Sequence, residues 1–180
     1  MSDGAAVEVS IALGRRLAAD LAEFARRRHP DDPPETSPLA PEADLLADFD
    51  RRILDEDLRA ATRSRFVSKH YADAVEAGVK ALNESVRSRT GRTDDGDPLM
   101  TAAFSPNAPL LRINPGKTKS HESEQRGHMQ LCQGVVGAWR NPRAHTLVDD
   151  SPAKALMMLE MIDGLILTTK AATRTRRRKP

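Results

Sequence analysis

Residues 153–170 carry Leu156, Met157, Met158, Leu159, Met161, Ile162, Leu165, Ile166 and Leu167, interrupted by Glu160, Asp163 and Gly164. On a helix these apolar groups fall on nearly every side. Such a helix must be covered all round, which calls for a bundle of other helices and predicts a second copy of the chain against the remaining face. Ser151-Pro152 supply the N-cap and a proline at the first helical position. Composition agrees with a helical fold. Aromatic residues make up 3% of the chain, too few for a stacking platform that binds single strands, and β-branched residues are sparse beside Ala, Leu, Arg and Glu. A chain of 180 residues suffices for one ordinary domain and an extension. No apolar run reaches bilayer length, and the N-terminus MSDGAAVEVSIALGRR lacks a signal-peptide pattern, so a cytoplasmic location without membrane association is expected. The single cysteine, Cys132, permits no internal disulfide, zinc cluster or CxxC motif.

Four segments follow from the pattern. Leu13, Leu17, Leu21 and Phe24 mark an N-terminal helical arm within residues 1–29. Five of the twelve prolines lie between Pro30 and Pro41, which predicts a linker over 30–41. A helical domain is expected over 42–172, and a solvated basic tail over 173–180. Within the domain, Leu46, Phe49, Ile53 and Leu58 mark a helix that bends or continues into Arg59, Arg63 and Arg65. The stripe Val67, Tyr71, Ala74, Val75, Gly78, Leu82 and Val86 marks one face of a long helix. Thr90-Gly91 and Asp95-Gly96 give stop and turn signals, and Asp97-Pro98 opens a short helix to Phe104. Residues 105–120, with three prolines, read as an exposed loop. The next helix starts at Ser120 or Ser123 and shows Met129, Cys132, Val136 and Trp139 on one face, with Gly134 and Gly137 suited to close backbone approach. Pro142 stops it.

The segment Trp139-Arg140-Asn141-Pro142-Arg143-Ala144-His145 brings a permanent cation, an amide and an imidazole into one helix-breaking turn. Asn141 is suited to cap a short turn that starts at Pro142, which would place Arg140 and His145 near each other. A guanidinium forks onto phosphate oxygens, and a histidine with a pKa of about 6.5 takes or gives a proton near neutrality. The two form the minimum set for metal-free cleavage of RNA. An Arg and a His five residues apart also suit a capped helix C-terminus with the histidine packed in a loop.

Arg140-Asn141-Pro142-Arg143-Ala144-His145 resembles the R-x4-6-H signature of the HEPN superfamily. The stretch His70–Ala77, Lys80–Asn83, Asp95-Gly96, Leu99-Met100, Phe104, Gly134 and the Arg140–His145 segment resemble, in order over about residues 60–170, the bacterial and phage-associated Ymh family within it. The resemblance implies an all-α bundle of four or five helices, paired as a homodimer with two R-x4-6-H motifs facing each other. Active HEPN relatives are metal-independent endoribonucleases of toxin–antitoxin, abortive-infection and other anti-phage systems, and they leave a 2′,3′-cyclic phosphate and a 5′-OH. Carried over, Arg140 and His145 are catalytic and Asn141 is the polar supporting residue. Arg143 lies in the motif's variable interior, and its charge alone makes it an RNA-binding candidate. RNA is the expected substrate, an antitoxin or other defence protein a further partner, and no cofactor or metal is expected.

Other superfamily members have lost catalysis, so a helical module that only binds nucleic acid or a protein is the alternative. A regulator whose last helix merely forms a dimer is a third reading. Three weaker features are set aside. His70 stands beside a core face. His121, Glu122, Glu124 and His128 have the spacing of a metal pair but offer no HExxH, and read as a solvated helix start. Gly116-Lys117-Thr118 lacks the first glycine and the preceding strand of a phosphate loop.

Overall fold

A computed structural model describes residues 42–140 and 150–175. The helical arm expected over 1–29, the linker at 30–41 and the last residues, 176–180, lie outside the described residues. Among those described, six helices follow one another: α1 (Glu42–Arg52), α2 (Glu56–Val67), α3 (Tyr71–Thr90), α4 (Gly96–Phe104), α5 (Lys119–Val135) and α6 (Pro152–Ala171). The all-α expectation holds. Six helices stand where four or five were expected, because the run from Leu46 to Leu58 is cut in two.

Asp55 makes the cut. Its carboxylate accepts the Leu58 amide at 3.0 Å and so caps α2. The carboxylate of Asp163, buried on α6, accepts the amides of Leu54 and Asp55 at 3.0 and 2.8 Å. Buried amides left by a broken helix must find acceptors, and the acid that interrupts the apolar last helix is one. Burial pushes the Asp163 carboxyl above the ordinary range. Burial also acts upward on Asp55, but hydrogen bonds from Lys170 and the Leu58 amide outweigh it and hold that carboxyl below its ordinary value.

The long amphipathic stripe is interrupted as well. Val67 ends α2 and is 48% exposed, so it does not belong to the buried face of α3, which starts at Tyr71. Between them Lys69 takes a φ of 63°, and the amides of Ser68 and His70 return to the carbonyls of Ser64 and Arg65. This is a left-handed helix cap with lysine where glycine is usual. From Ala74 onward the stripe is buried as expected, at Ala74, Val75, Gly78, Leu82 and Val86, and Val79 is buried beside it. Gly91 stops α3 at a φ of 70°, its amide donating to Arg87.

Helix α3 packs on α2 and α6, while α4 packs on α5. The approach of α3 to α6 is closest at Gly78, where an added Cβ would lie 2.8 Å from a Leu159 methyl and 3.2 Å from one of Ile162. Gly78→Leu is therefore expected to cost about 1–3 kcal/mol in urea unfolding; an unchanged midpoint would show that the helices do not meet there. By contrast, a Cβ at Gly134 or Gly137 would meet nothing among the described residues within 4 Å. The close approach expected at those two positions does not occur among the described residues.

Part of the loop at 105–120 is held. Leu111 is fully buried, and Leu111–Arg112 (β1) pairs antiparallel with Thr173–Arg174 (β2), in the register Leu111 to Arg174 and Arg112 to Thr173. The start of the expected solvated tail is thus strand. Buried Gln125 clamps the loop from α5: its amide nitrogen donates to the carbonyls of Phe104 and Leu111, and its oxygen accepts the Ile113 amide. Among the described residues no helix is long and apolar enough to cross a membrane.

Candidate functional site

Thr118 begins α5 by accepting the His121 amide at 3.2 Å. At its other end the α-helix stops at Val135, and the chain continues as a π-helical turn, Val136–Arg140. Such turns are rare and are frequent at functional sites. Val136 is buried, Trp139 packs half-buried against the core, and Arg140 keeps 30% of its side chain exposed.

The Arg140 guanidinium has a fixed partner. Its Nη1 donates to Asp95 Oδ2 at 2.5 Å, and the other oxygen of Asp95 lies 3.8 Å from Nη1 of Arg87, near the end of α3. Asp95 is the N-cap residue of α4, yet its side chain makes no cap hydrogen bond. The Gly96 amide bonds instead to the buried amide side chain of Asn83, at 3.4 Å. A residue type that ordinarily caps a helix is thus turned onto Arg140. The three charges sum to one positive unit. An arginine with one edge engaged still has donors to fork onto a phosphate.

Of the residues expected to act with it, Asn141, Arg143 and His145 lie outside the described residues. The described chain resumes at Asp150, which is buried and pairs with Lys154 at 2.9 Å. Ser151 then caps α6 by accepting the Lys154 amide, as its sequence predicted. Asp95 and Arg87 were not expected at the site. The Asp95-Gly96 pair signals a turn, and nothing in the sequence connects it with an arginine 45 positions later.

The features set aside resolve into structural roles. His70 is exposed at the N-cap of α3, and its carbonyl accepts the Ala74 amide. His121 accepts the Lys117 amide through Nδ1, and Glu124 accepts from Asn114. His128, expected on a solvated helix start, is instead buried, with its ring edge-on to Phe104 at 4.7 Å and its Nε2 3.7 Å from the Cys132 sulfur. Burial pushes His128 down to about 4 and Cys132 up to about 12. Both are therefore neutral at pH 7, and the pair is no thiolate nucleophile. Thr118 is spent on capping, and the short strand upstream of Gly116 pairs with the C-terminal strand; neither cradles a phosphate. Among the described residues no group of three or more His, Cys, Asp or Glu side chains is placed to hold a metal ion.

A family model described as "Protein of unknown function (Hypoth_ymh)" matches residues 52–168, from the end of α1 to the last turn of α6. The chain belongs to the Ymh family. The match takes in every element described around Arg140, including Asp95 and Arg87, and spans the Arg140–His145 segment. No curated protein and no solved structure matches the chain. What a Ymh protein does must therefore be argued from its residues.

Proposed function

We propose that this Ymh protein is a metal-independent endoribonuclease of the HEPN type, acting in a toxin or anti-phage defence system. The observation that carries the reading is Arg140. It stands at the end of a π-turn, fixed along one edge by Asp95 and partly exposed, five residues before His145 in the chain.

In the proposed reaction a neutral His145 takes the proton of a ribose 2′-OH as that oxygen attacks the adjacent phosphorus. The bond from phosphorus to the 5′-oxygen breaks, and a second, protonated His145 supplies the proton that leaves with it. Arg140 stabilises the charge on the non-bridging oxygens in the transition state. The products are a 2′,3′-cyclic phosphate and a 5′-OH, and DNA, which lacks the attacking hydroxyl, is refused.

Base and acid act in the same step, so two histidines are required, and a homodimer supplies them. Ala153, Met157, Met161, Gly164 and Leu167 of α6 are exposed along one face, with Met157 at 50% and Met161 at 45%, and the charge among them, Glu160, is paired with Arg52. A Cβ at Gly164 would meet nothing among the described residues within 4 Å. That face supports pairing of two copies through α6, whose first turn follows His145 closely in the chain.

The test is incubation of the purified protein with single-stranded RNA in EDTA. Fragments with cyclic-phosphate ends are expected, and a DNA strand of the same sequence should stay whole. Intact RNA at micromolar protein, or cutting that requires added Mg²⁺, would refute the mechanism.

A further inference from the structure

The loop Thr90–Asp95 has two sides. On one, Asp95 holds Arg140. On the other lies a surface depression of about 630 Å³, lined by Thr90, Gly91, Arg92, Asp94, Arg174 and Thr175 among others. The two places are joined by a single peptide bond, between Asp94 and Asp95.

We propose that this depression is a second contact site for the RNA strand, taking the sugar-phosphate backbone of nucleotides that flank the linkage held by Arg140. The inference rests on Arg140 meeting RNA, but it does not require that the strand be cut.

The chemistry of the lining fits a backbone and not a base. Thr93 brings a hydroxyl, those of Thr90 and Thr175 donate to the Val86 and Pro109 carbonyls and are left as acceptors for a ribose hydroxyl, and no aromatic side chain is present to stack a base. Arg92 and Arg174 bring two cations against the one carboxylate of Asp94. Arg92 is braced, with its Nε donating to Asp94 at 2.5 Å, and Arg174 reaches the Thr90 carbonyl at 3.5 Å. Arg89, next to Thr90 in the chain, donates to the Ala172 carbonyl, two residues before Arg174.

Position strengthens the case. Thr175 is tied at the rim, its amide donating to the Leu110 carbonyl at 2.9 Å and its hydroxyl to the Pro109 carbonyl at 2.5 Å. From that anchored residue the sequence runs directly into Arg176-Arg177-Arg178-Lys179. Four further cations thus follow Thr175 in the sequence. Pairing of β1 with β2 holds Arg174 in the lining, which gives the strand pair a purpose beyond closing the loop.

The experiment measures binding apart from cutting. The probe is a fluorescein-labelled, 2′-O-methylated oligouridine, which has no free 2′-OH and cannot be cleaved by this route. Its affinity for the full chain is read by anisotropy over a series of salt concentrations. For each phosphate contact removed, the slope of log K against log salt falls by about 0.7. Arg92→Gln alone, which lies outside the strand pair, is expected to weaken binding and lower the slope by about that amount. Arg92→Gln with Arg174→Gln should lower it by about 1.4, with thermal unfolding confirming the fold.

If both variants bind as the parent does while parent RNA cleavage persists, this inference falls and the nuclease reading stands. If the parent binds the probe, the variants lose it as expected, and no RNA is cut, the inference stands and the nuclease reading falls. Loss of the whole salt dependence on changing Arg176–Lys179 to glutamine, with Arg92 and Arg174 without effect, would place binding in the tail alone and overturn the inference.

Discussion

Alanine in place of His145 is expected to slow RNA cleavage by about 10²- to 10⁴-fold while leaving the affinity for the non-cleavable oligouridine within about twofold. A positioned acid or base acts only as the proton moves, so its loss belongs in kcat and not in binding. Arg140 should behave differently. Its guanidinium meets the phosphate before and during reaction, so Arg140→Ala should lower kcat and raise KM together. Arg140→Lys should recover little, because an ammonium keeps the charge but not the planar fork.

Asp95 gives the series its internal check. It bonds the guanidinium along one edge without touching the strand, so it is a positioning residue. Small displacements of a reacting group cost up to about 10²-fold, and Asp95→Ala is expected to approach that loss in kcat. Asp95→Asn, which retains an oxygen acceptor for Arg140, should recover much of it. Equal activity in parent and His145→Ala protein would end the argument for general acid–base catalysis at this motif. An Asp95→Ala protein as active as the parent would show that Arg140 does not depend on its partner.

What the sequence made legible is what depends on near neighbours. Gly91 stops α3 because a left-handed cap needs no distant contact, and Ser151-Pro152 starts α6 by its own chemistry. The buried face of α3 follows from spacing alone. What escaped was set by contacts across the fold. The break at residues 53–55 depends on Asp163, more than a hundred positions away, although the acidic run Asp55-Glu56-Asp57 before Leu58 carried a helix-start signal. Lys69 adopts a left-handed backbone that its residue type does not announce.

The site divides the same way. Arg140 was found by its motif, but the partner that holds it comes from the turn between α3 and α4, far away in the chain. Two-residue strands at 111–112 and 173–174 are too short to leave a periodic signal, and pair across some sixty positions. A polar residue within a helix, such as Gln125, reads as solvated until the loop it clamps is in place.

Acid should weaken this fold in a window that one side chain sets. His128 is pushed down to about 4 by burial, against a weaker upward pull from Glu124, and its ordinary value is 6.5. At pH above about 6.5 the imidazole is neutral in both the folded and the unfolded chain, and stability is at its full value. As the pH falls through 6.5 the unfolded chain binds a proton there and the folded chain does not, so stability is lost by about 1.4 kcal/mol per pH unit until about pH 4. The total loss is about 3 kcal/mol, large beside the usual stability of a domain this size. Asp50, Asp55 and Asp94, whose carboxyls are held below their ordinary value of 3.8, give up their contributions only below that window. Asp163, raised by burial, contributes at low pH and loses that contribution as the pH rises, partly opposing His128. The comparison that isolates the imidazole is therefore His128→Leu against the parent, by urea unfolding between about pH 4.5 and 7.5. The Asp163 effect is common to both proteins. The variant should lose some stability at the upper end of that range with the sulfur and ring contacts, then fall less steeply toward acid, so that the two curves converge. Parallel curves would mean that the folded protein protonates His128 at an ordinary pH, and that the ring is not sealed between Phe104 and Cys132.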